Sequence, residues 1–238
     1  MIDFVEIKNF VFQSALKGHG IARRNLRGVV FVNILFALIL GSVYILSIFA
    51  AFRITYIREY QYILLNIVSL PVTAYLLSGL LFYYRGLVQN ENPPLYRLFM
   101  GYKRNYINFF VLCLTYYVFY VTLVRTILEI KEYTVILQIR FVIGILLFIW
   151  VASRLIFCFL ITSEEKKNFK ESIKASFLMT SGRFWKTLSA VALSFLILCA
   201  GLLFFLVGFF YAFSVVLILY VLVFDSYSSG GKKESEAG

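Results

Sequence analysis

The sequence has few of the residues that catalysis and metal binding use. It contains one histidine, His19, and twelve acidic residues among 238. The three cysteines lie in apolar stretches without metal-ligand spacing: Cys113, Cys158 and Cys199. Buried cysteine behaves as a small apolar residue, so we predict no disulfide framework and no metal site. Since zinc-protease, P-loop and serine-hydrolase motifs are also missing, we expect no catalytic residue and no cofactor.

Charged residues are scarce as well. They make up 15% of the chain, whereas a soluble domain has about a quarter. Hydrophobic residues make up 61%, with 26 Phe and 17 Tyr, and the mean hydropathy is +0.86. A soluble core could not hide so many large apolar side chains, so the composition predicts a membrane protein. The first apolar run begins after residue 28, so the N-terminus does not resemble a cleavable signal peptide.

Apolar runs of spanning length predict the fold class. A helix needs about 20 apolar residues to cross the hydrocarbon core. Four runs meet this length: 29–51, 62–84, 106–128 and 135–161. A fifth run, 188–224, has 37 residues and predicts a hairpin of two spans, the first ending near Phe205 and the second starting near Gly208. The chain is therefore expected to be all-α, a polytopic transmembrane bundle of six spans.

The distribution of positive charge predicts the orientation. Of the 23 Lys and Arg, 18 fall in segments that six spans place on one side, and five fall on the other. Cytoplasmic loops collect Lys and Arg, so both termini are expected in the cytoplasm of a plasma (inner) membrane protein. The net charge of +11 is explained in this way without nucleic acid as a partner. Residues 1–28 are then a cytoplasmic interfacial segment, 29–227 the membrane domain, and 228–238 a disordered cytoplasmic tail.

The cytoplasmic segments share a layout that indicates an internal repeat. Each has apolar residues, a glycine and a basic residue, followed by aromatic residues that enter a span; the three segments are 4–27, 94–104 and 168–186. This layout predicts three units, each an interfacial helix followed by a two-span hairpin.

Basic residues near the membrane are the first candidate sites, as contacts for lipid or another anion. The candidates are Arg154, Lys166, Lys167, Lys170, Lys174 and Arg183. Arg154 lies inside an apolar run, about 10 Å from the cytoplasmic end of its span. It can extend to the interface, pair with Asp225, or bind a lipid phosphate. The lysines lie on one side of a predicted amphipathic helix, which either contacts anionic lipid or packs on its own spans.

Polar residues inside the first two spans are the second set of candidates: Asn33, Asn66, Ser69 and Thr73. The last three share one face of a helix that also contains Pro71. They form either hydrogen bonds between helices or the lining of a polar pathway. Glycines at 79, 144, 201 and 208 are expected to permit close helix approach.

Two short motifs carry a resemblance. Residues 171–185 (ESIKASFLMTSGRFW) and 98–102 (LFMGY) lie before the predicted fifth and third spans. They resemble motifs of a group of uncharacterised six-span bacterial membrane proteins related to the membrane domain of glycerophosphodiester phosphodiesterases. With the topology, the resemblance covers most of residues 1–227. It implies a six-helix membrane domain without catalytic residues; the phosphodiesterase would be a separate soluble domain.

These observations predict a non-enzymatic membrane protein, acting as an accessory, scaffold or lipid-associated subunit. Its expected partners are membrane lipids with anionic head groups and other membrane proteins. The alternative is a transporter or channel for a small or amphipathic solute, lined by the polar face of the second span. A lipid-modifying enzyme is a third hypothesis, for which the sequence offers no catalytic set.

Overall fold

The chain folds into helices throughout the part that the structure describes. The computed structural model describes residues 4–54, 58–89, 91, 93–99, 106–128, 157–164 and 168–236. These residues form eight α-helices and one short 3₁₀ helix. The helices are α1 Phe4–Arg24, α2 Leu26–Ile54, α3 Arg58–Val88, the 3₁₀ helix Leu95–Phe99, α4 Tyr106–Leu128, α5 Cys158–Glu164, α6 Phe169–Thr180, α7 Phe184–Leu203 and α8 Phe205–Glu236. The all-α prediction is confirmed for these residues.

Three helices of the described residues are long and apolar enough to cross a membrane. They are Leu26–Phe49, Phe184–Leu203 and Gly208–Ser228. The predicted span 62–84 lies within the 31-residue helix α3, and 106–128 coincides with α4, in which Tyr106–Thr115 is a shorter apolar segment. The predicted span 135–161 falls largely outside the described residues. The structure thus supports three of the six predicted spans directly.

The long apolar run near the C-terminus forms the expected helical hairpin. Helix α7 ends at Leu203 and α8 begins at Phe205, so the turn lies slightly before the predicted one. Gly201 and Gly208 face each other across the hairpin: a Cβ added to Gly201 would lie 2.8 Å from the carbonyl oxygen of Gly208. Larger side chains would force the helices apart, which confirms the predicted close approach at Gly201 and Gly208. Gly144 lies outside the described residues.

Helix α8 is the centre of the bundle. It contacts α1, α2, α3 and α7, and its residues 214–219 are all buried. Because lipid tails are as apolar as these side chains, such packing is held by van der Waals contact and hydrogen bonds rather than by exclusion of water. The outward faces of α2 and α7 expose large apolar side chains, among them Leu38, Phe49, Phe195 and Leu203.

Helix α1 is packed into this bundle. Its Phe10 ring stacks on Tyr227 near one end of α8, and its His19 contacts Tyr211 near the other. Small residues make the approach possible, since Ala15, Gly18 and Ala22 all lie on the buried face of α1. The predicted segment 1–28 is therefore in contact with the membrane domain over most of its length. Its position at the membrane interface stays a prediction.

The order of helices agrees with the predicted repeat in two of three units. A helix followed by a pair of packed helices occurs as α1–α2–α3 and again as α6–α7–α8. In the middle unit the 3₁₀ helix precedes α4, and residues 129–156, which lie between α4 and α5, are outside the described residues. The 3₁₀ helix approaches α3 so closely that a Cβ on Gly79 would overlap the backbone of Leu98.

The last helix is longer than the sequence indicates. Helix α8 continues to Glu236, through most of the segment 228–238 for which we expect a disordered tail. Once a helix exists, each further residue extends it without a new nucleation cost, which accounts for the continuation.

Candidate functional site

Three of the six predicted lipid contacts lie outside the residues that the structure describes: Arg154, Lys166 and Lys167. Lys170 and Lys174 are exposed on α6, on the side opposite its buried residues. Both therefore meet the geometric requirement for contact with an anionic surface.

Arg183 has a different position. It precedes α7, and its Nη1 donates a hydrogen bond to the carbonyl oxygen of Tyr227 at 3.1 Å. Its guanidinium group lies 4.9 Å from the centre of the Tyr227 ring. These contacts join the residue before α7 to Tyr227 of α8, so Arg183 contributes to the packing of these two helices.

Helix α6 packs a face of small polar side chains against its neighbours. Its buried residues are Ser172, Ser176 and Thr180. The hydroxyl of Thr162 in α5 donates to Ser172 Oγ at 2.9 Å. At the start of α6, the backbone N–H of Phe169 donates to the side-chain oxygen of Asn108 in α4 at 3.2 Å. The helix is thus fixed to α4 and α5, with its two lysines outward.

The predicted polar pathway residues whose side chains the structure describes lie at two places, Asn33 at one and Ser69 with Thr73 at the other. Asn33 lies on α2 in contact with α8, whereas Thr73 donates to the carbonyl oxygen of Ser69 within its own helix at 2.9 Å. A groove lined by Asn33 contains neither Ser69 nor Thr73, and a separate groove lies beside Pro71. Asn66 belongs to α3, and its side chain is outside the described part.

Asn33 instead belongs to a buried hydrogen-bond network. Its Nδ2 donates to the carbonyl oxygen of Phe210 at 2.8 Å and to Ser214 Oγ at 2.5 Å. Ser214 Oγ also forms a hydrogen bond with the hydroxyl of Tyr84 at 2.7 Å. All three side chains are at most 1% exposed, and they join α2, α3 and α8. Sequence reasoning missed Ser214 and Tyr84, although Ser214 stands out as a polar residue inside the last apolar run.

Asn33 also lines a groove on the outside of the bundle. This groove has a volume of about 570 Å³ and lies between α2 and the aromatic start of α8, including Phe209 and Phe213. The Oδ1 atom of Asn33 is buried and has no hydrogen-bond partner among the described atoms.

A second groove runs between α1, α7 and α8, and we call it the α1–α7 groove. Its volume is about 820 Å³ and its lining is predominantly apolar. The polar residues of the lining are His19 and Arg23 of α1 and Tyr211 of α8. The hydroxyl of Tyr211 and Nδ1 of His19 are 2.8 Å apart. This groove combines a basic site with an apolar lining. Sequence analysis named His19 only as the single histidine of the chain.

Asp225 pairs with a residue that the sequence did not indicate. Its Oδ1 lies 4.0 Å from Nη2 of Arg85 at the end of α3. Lys17 of α1 also acts electrostatically on this carboxylate. The predicted alternative, an ion pair between Asp225 and Arg154, involves a residue outside the described part of the chain.

Catalytic and metal-binding groups are sparse in the described residues. Within them, no group of three or more His, Cys, Asp and Glu side chains could hold a metal ion. Cys113 and Cys158 are buried and Cys199 is exposed, all as free thiols.

Comparison with known proteins finds a family match. Residues 126–231 match the family model described as the membrane domain of glycerophosphoryl diester phosphodiesterase. No curated protein and no solved structure matches the chain. The match covers somewhat less than half of the chain and includes α5, α6, α7 and most of α8. The predicted relation to this membrane domain is confirmed for these residues, and the earlier motif at 98–102 lies outside the match.

Proposed function

We propose that the chain is a non-enzymatic accessory or scaffold protein of the plasma membrane that associates with anionic lipid. It crosses the membrane six times with both termini in the cytoplasm. The family match and the three long apolar helices support an integral membrane protein. The 18-to-5 distribution of Lys and Arg supports the orientation.

The observation that carries the accessory role is the use of polar side chains inside the bundle. Asn33, Tyr84 and Ser214 are hydrogen-bonded to one another across three helices. A solute pathway would need such groups to face a water-filled cavity, whereas here they connect packed helices. The arrangement favours a stable membrane scaffold over a protein with a solute pathway.

The second candidate is a transporter for an amphipathic solute. The observation in its favour is the α1–α7 groove, which has both an apolar lining and a basic site. A transporter would move its solute along such a groove, whereas a lipid-associated scaffold would retain a lipid there.

Native mass spectrometry of the purified chain tests the proposal. We expect the wild type to retain anionic phospholipid in preference to phosphatidylcholine, and to co-purify with a membrane protein after cross-linking in cells. The variants Arg154→Ala and Lys170→Gln/Lys174→Gln measure how much the predicted contacts contribute. A chain that retains no phospholipid and captures no membrane protein, but exchanges an amphipathic solute across proteoliposomes, would contradict the accessory role.

A further inference from the structure

We propose that the α1–α7 groove binds one anionic phospholipid, with its phosphate at Arg23 and His19 and an acyl chain along α7. This inference rests on the lipid association in the proposed function, because it names the site and the chemical class of the lipid. It needs no particular orientation of the chain: its basic end lies beside Tyr211, near the α7–α8 turn. It differs from the described contacts expected from the sequence, since Lys170, Lys174 and Arg183 do not line this groove.

The α1 side of the groove changes from apolar to basic along one helix face. Phe12, Leu16, His19 and Arg23 line the groove at intervals of three or four residues, which places them in one row. Phe12 and Leu16 are each 55% exposed, so the row is open at the surface. A ligand on this row would meet apolar contact at one end and positive charge at the other.

The opposite wall is formed by α7. Leu193 and Ile197 line it at helical spacing, and Phe204, which directly follows α7, is 74% exposed. Gly201 and Gly208 allow α7 and α8 to lie close together at this point. The wall offers dispersion contacts and no hydrogen-bond donor along these residues, which suits a hydrocarbon chain.

The basic end is suited to a phosphate. None of the ion pairs between described residues includes Arg23, and Arg23 is close enough to Tyr211 to act on its hydroxyl electrostatically. The contact of Tyr211 with Nδ1 of His19 leaves Nε2 as the ring nitrogen for a ligand. Arginine binds phosphate through paired charge-assisted hydrogen bonds, and a positive charge beside apolar helices is stabilised by such an anion.

The charge complementarity identifies the occupant as a phospholipid rather than a second copy of the chain. The chain has a net charge of +11, and Arg24 and Arg27 are exposed within four residues of Arg23. Another copy would bring further positive charge to this site, whereas phosphatidylglycerol brings a negative charge and an acyl chain together.

The test measures phosphatidylglycerol binding to the full chain in nanodiscs and by native mass spectrometry. Arg23→Gln removes the charge, and Ala200→Phe fills the groove from its exposed wall. Arg24→Gln is the matched control, because it removes the neighbouring exposed charge outside the groove lining. We expect Arg23→Gln to weaken binding about tenfold, the size of one lost charge-assisted hydrogen bond, and Arg24→Gln to change it less than about twofold.

The outcomes separate this site from the general function. If the wild type retains phosphatidylglycerol and both groove variants bind it as Arg24→Gln does, the site is wrong while lipid association stands. If the wild type retains no anionic phospholipid, the proposed function itself fails. Dimers that disappear in Ala200→Phe would overturn the lipid assignment in favour of a second copy. Circular dichroism and melting temperatures verify that each variant is folded.

Discussion

The hydrogen bonds of Ser214 give a stability prediction that can be worked out from the structure. Ser214→Ala removes the bonds of its Oγ with Asn33 and Tyr84. A hydrogen bond between membrane helices contributes about 0.6 kcal/mol on average, and a buried hydroxyl that loses its partner costs about 1–3 kcal/mol. We therefore expect Ser214→Ala to lower the free energy of unfolding by about 2 kcal/mol, and Tyr84→Phe by about 1 kcal/mol.

The double variant distinguishes this network from simple loss of volume. Once Ser214 is alanine, the Tyr84 hydroxyl has already lost that bond, so Tyr84→Phe should add little. We expect the double variant to lose about 2 kcal/mol, which corresponds to a coupling energy of about 1 kcal/mol between the two side chains. Ser42→Ala is the control, because Ser42 is exposed and bonds to Leu38 of its own helix.

The assay is reversible unfolding in mixed micelles of increasing SDS content, followed by circular dichroism. Ser42→Ala should change the free energy of unfolding by less than about 0.5 kcal/mol. Strictly additive losses in the double variant would refute the reasoning, since they would show that Ser214 and Tyr84 do not interact.

Three further predictions follow from contacts on other parts of the bundle. Gly79→Leu should lower the free energy of unfolding by about 1–3 kcal/mol, because the new side chain would displace the 3₁₀ helix at Leu98. In the same assay Gly41→Ala should be neutral or slightly stabilising, because a Cβ at Gly41 meets nothing within 4 Å. An apolar maleimide should label the exposed Cys199 in the folded protein and reach Cys113 and Cys158 only after unfolding; equal labelling of all three, read by mass spectrometry, would contradict the described burial. The side chains of Lys186 and Glu6 are 2.6 Å apart and 28% and 64% exposed. This pair should contribute less than about 1 kcal/mol in a double-mutant cycle, and a larger value would show that α1 is held mainly by this ion pair.

The elements that depend on local patterns were predictable from the sequence. The 37-residue apolar run is too long for one span, and its glycines permit a hairpin, so the α7–α8 pair followed from length and composition. The amphipathic helix with exposed Lys170 and Lys174 followed from helical spacing. In both cases the signal lies within a few turns of one helix.

The candidate sites depend on contacts between distant parts of the chain. Asn33 and Ser214 are separated by 181 residues, and His19 and Tyr211 by 192. An apolar helix has many faces of similar composition, so its sequence does not state which one meets which partner. For this reason Asn33 was grouped with Asn66, Ser69 and Thr73 as candidates for a polar pathway or for helix packing, and the α1–α7 groove was not anticipated.

The central claim is that the chain crosses the membrane six times with both termini in the cytoplasm. Single cysteines in a variant with its own three cysteines replaced by alanine test it most directly, at Glu59, Glu132 and Ser229, with a membrane-impermeant maleimide in a bacterial host. The account predicts that Glu59→Cys and Glu132→Cys react in intact spheroplasts, whereas Ser229→Cys reacts only after the membrane is permeabilised. Labelling of Ser229→Cys in intact spheroplasts, or protection of either of the other two, would contradict it.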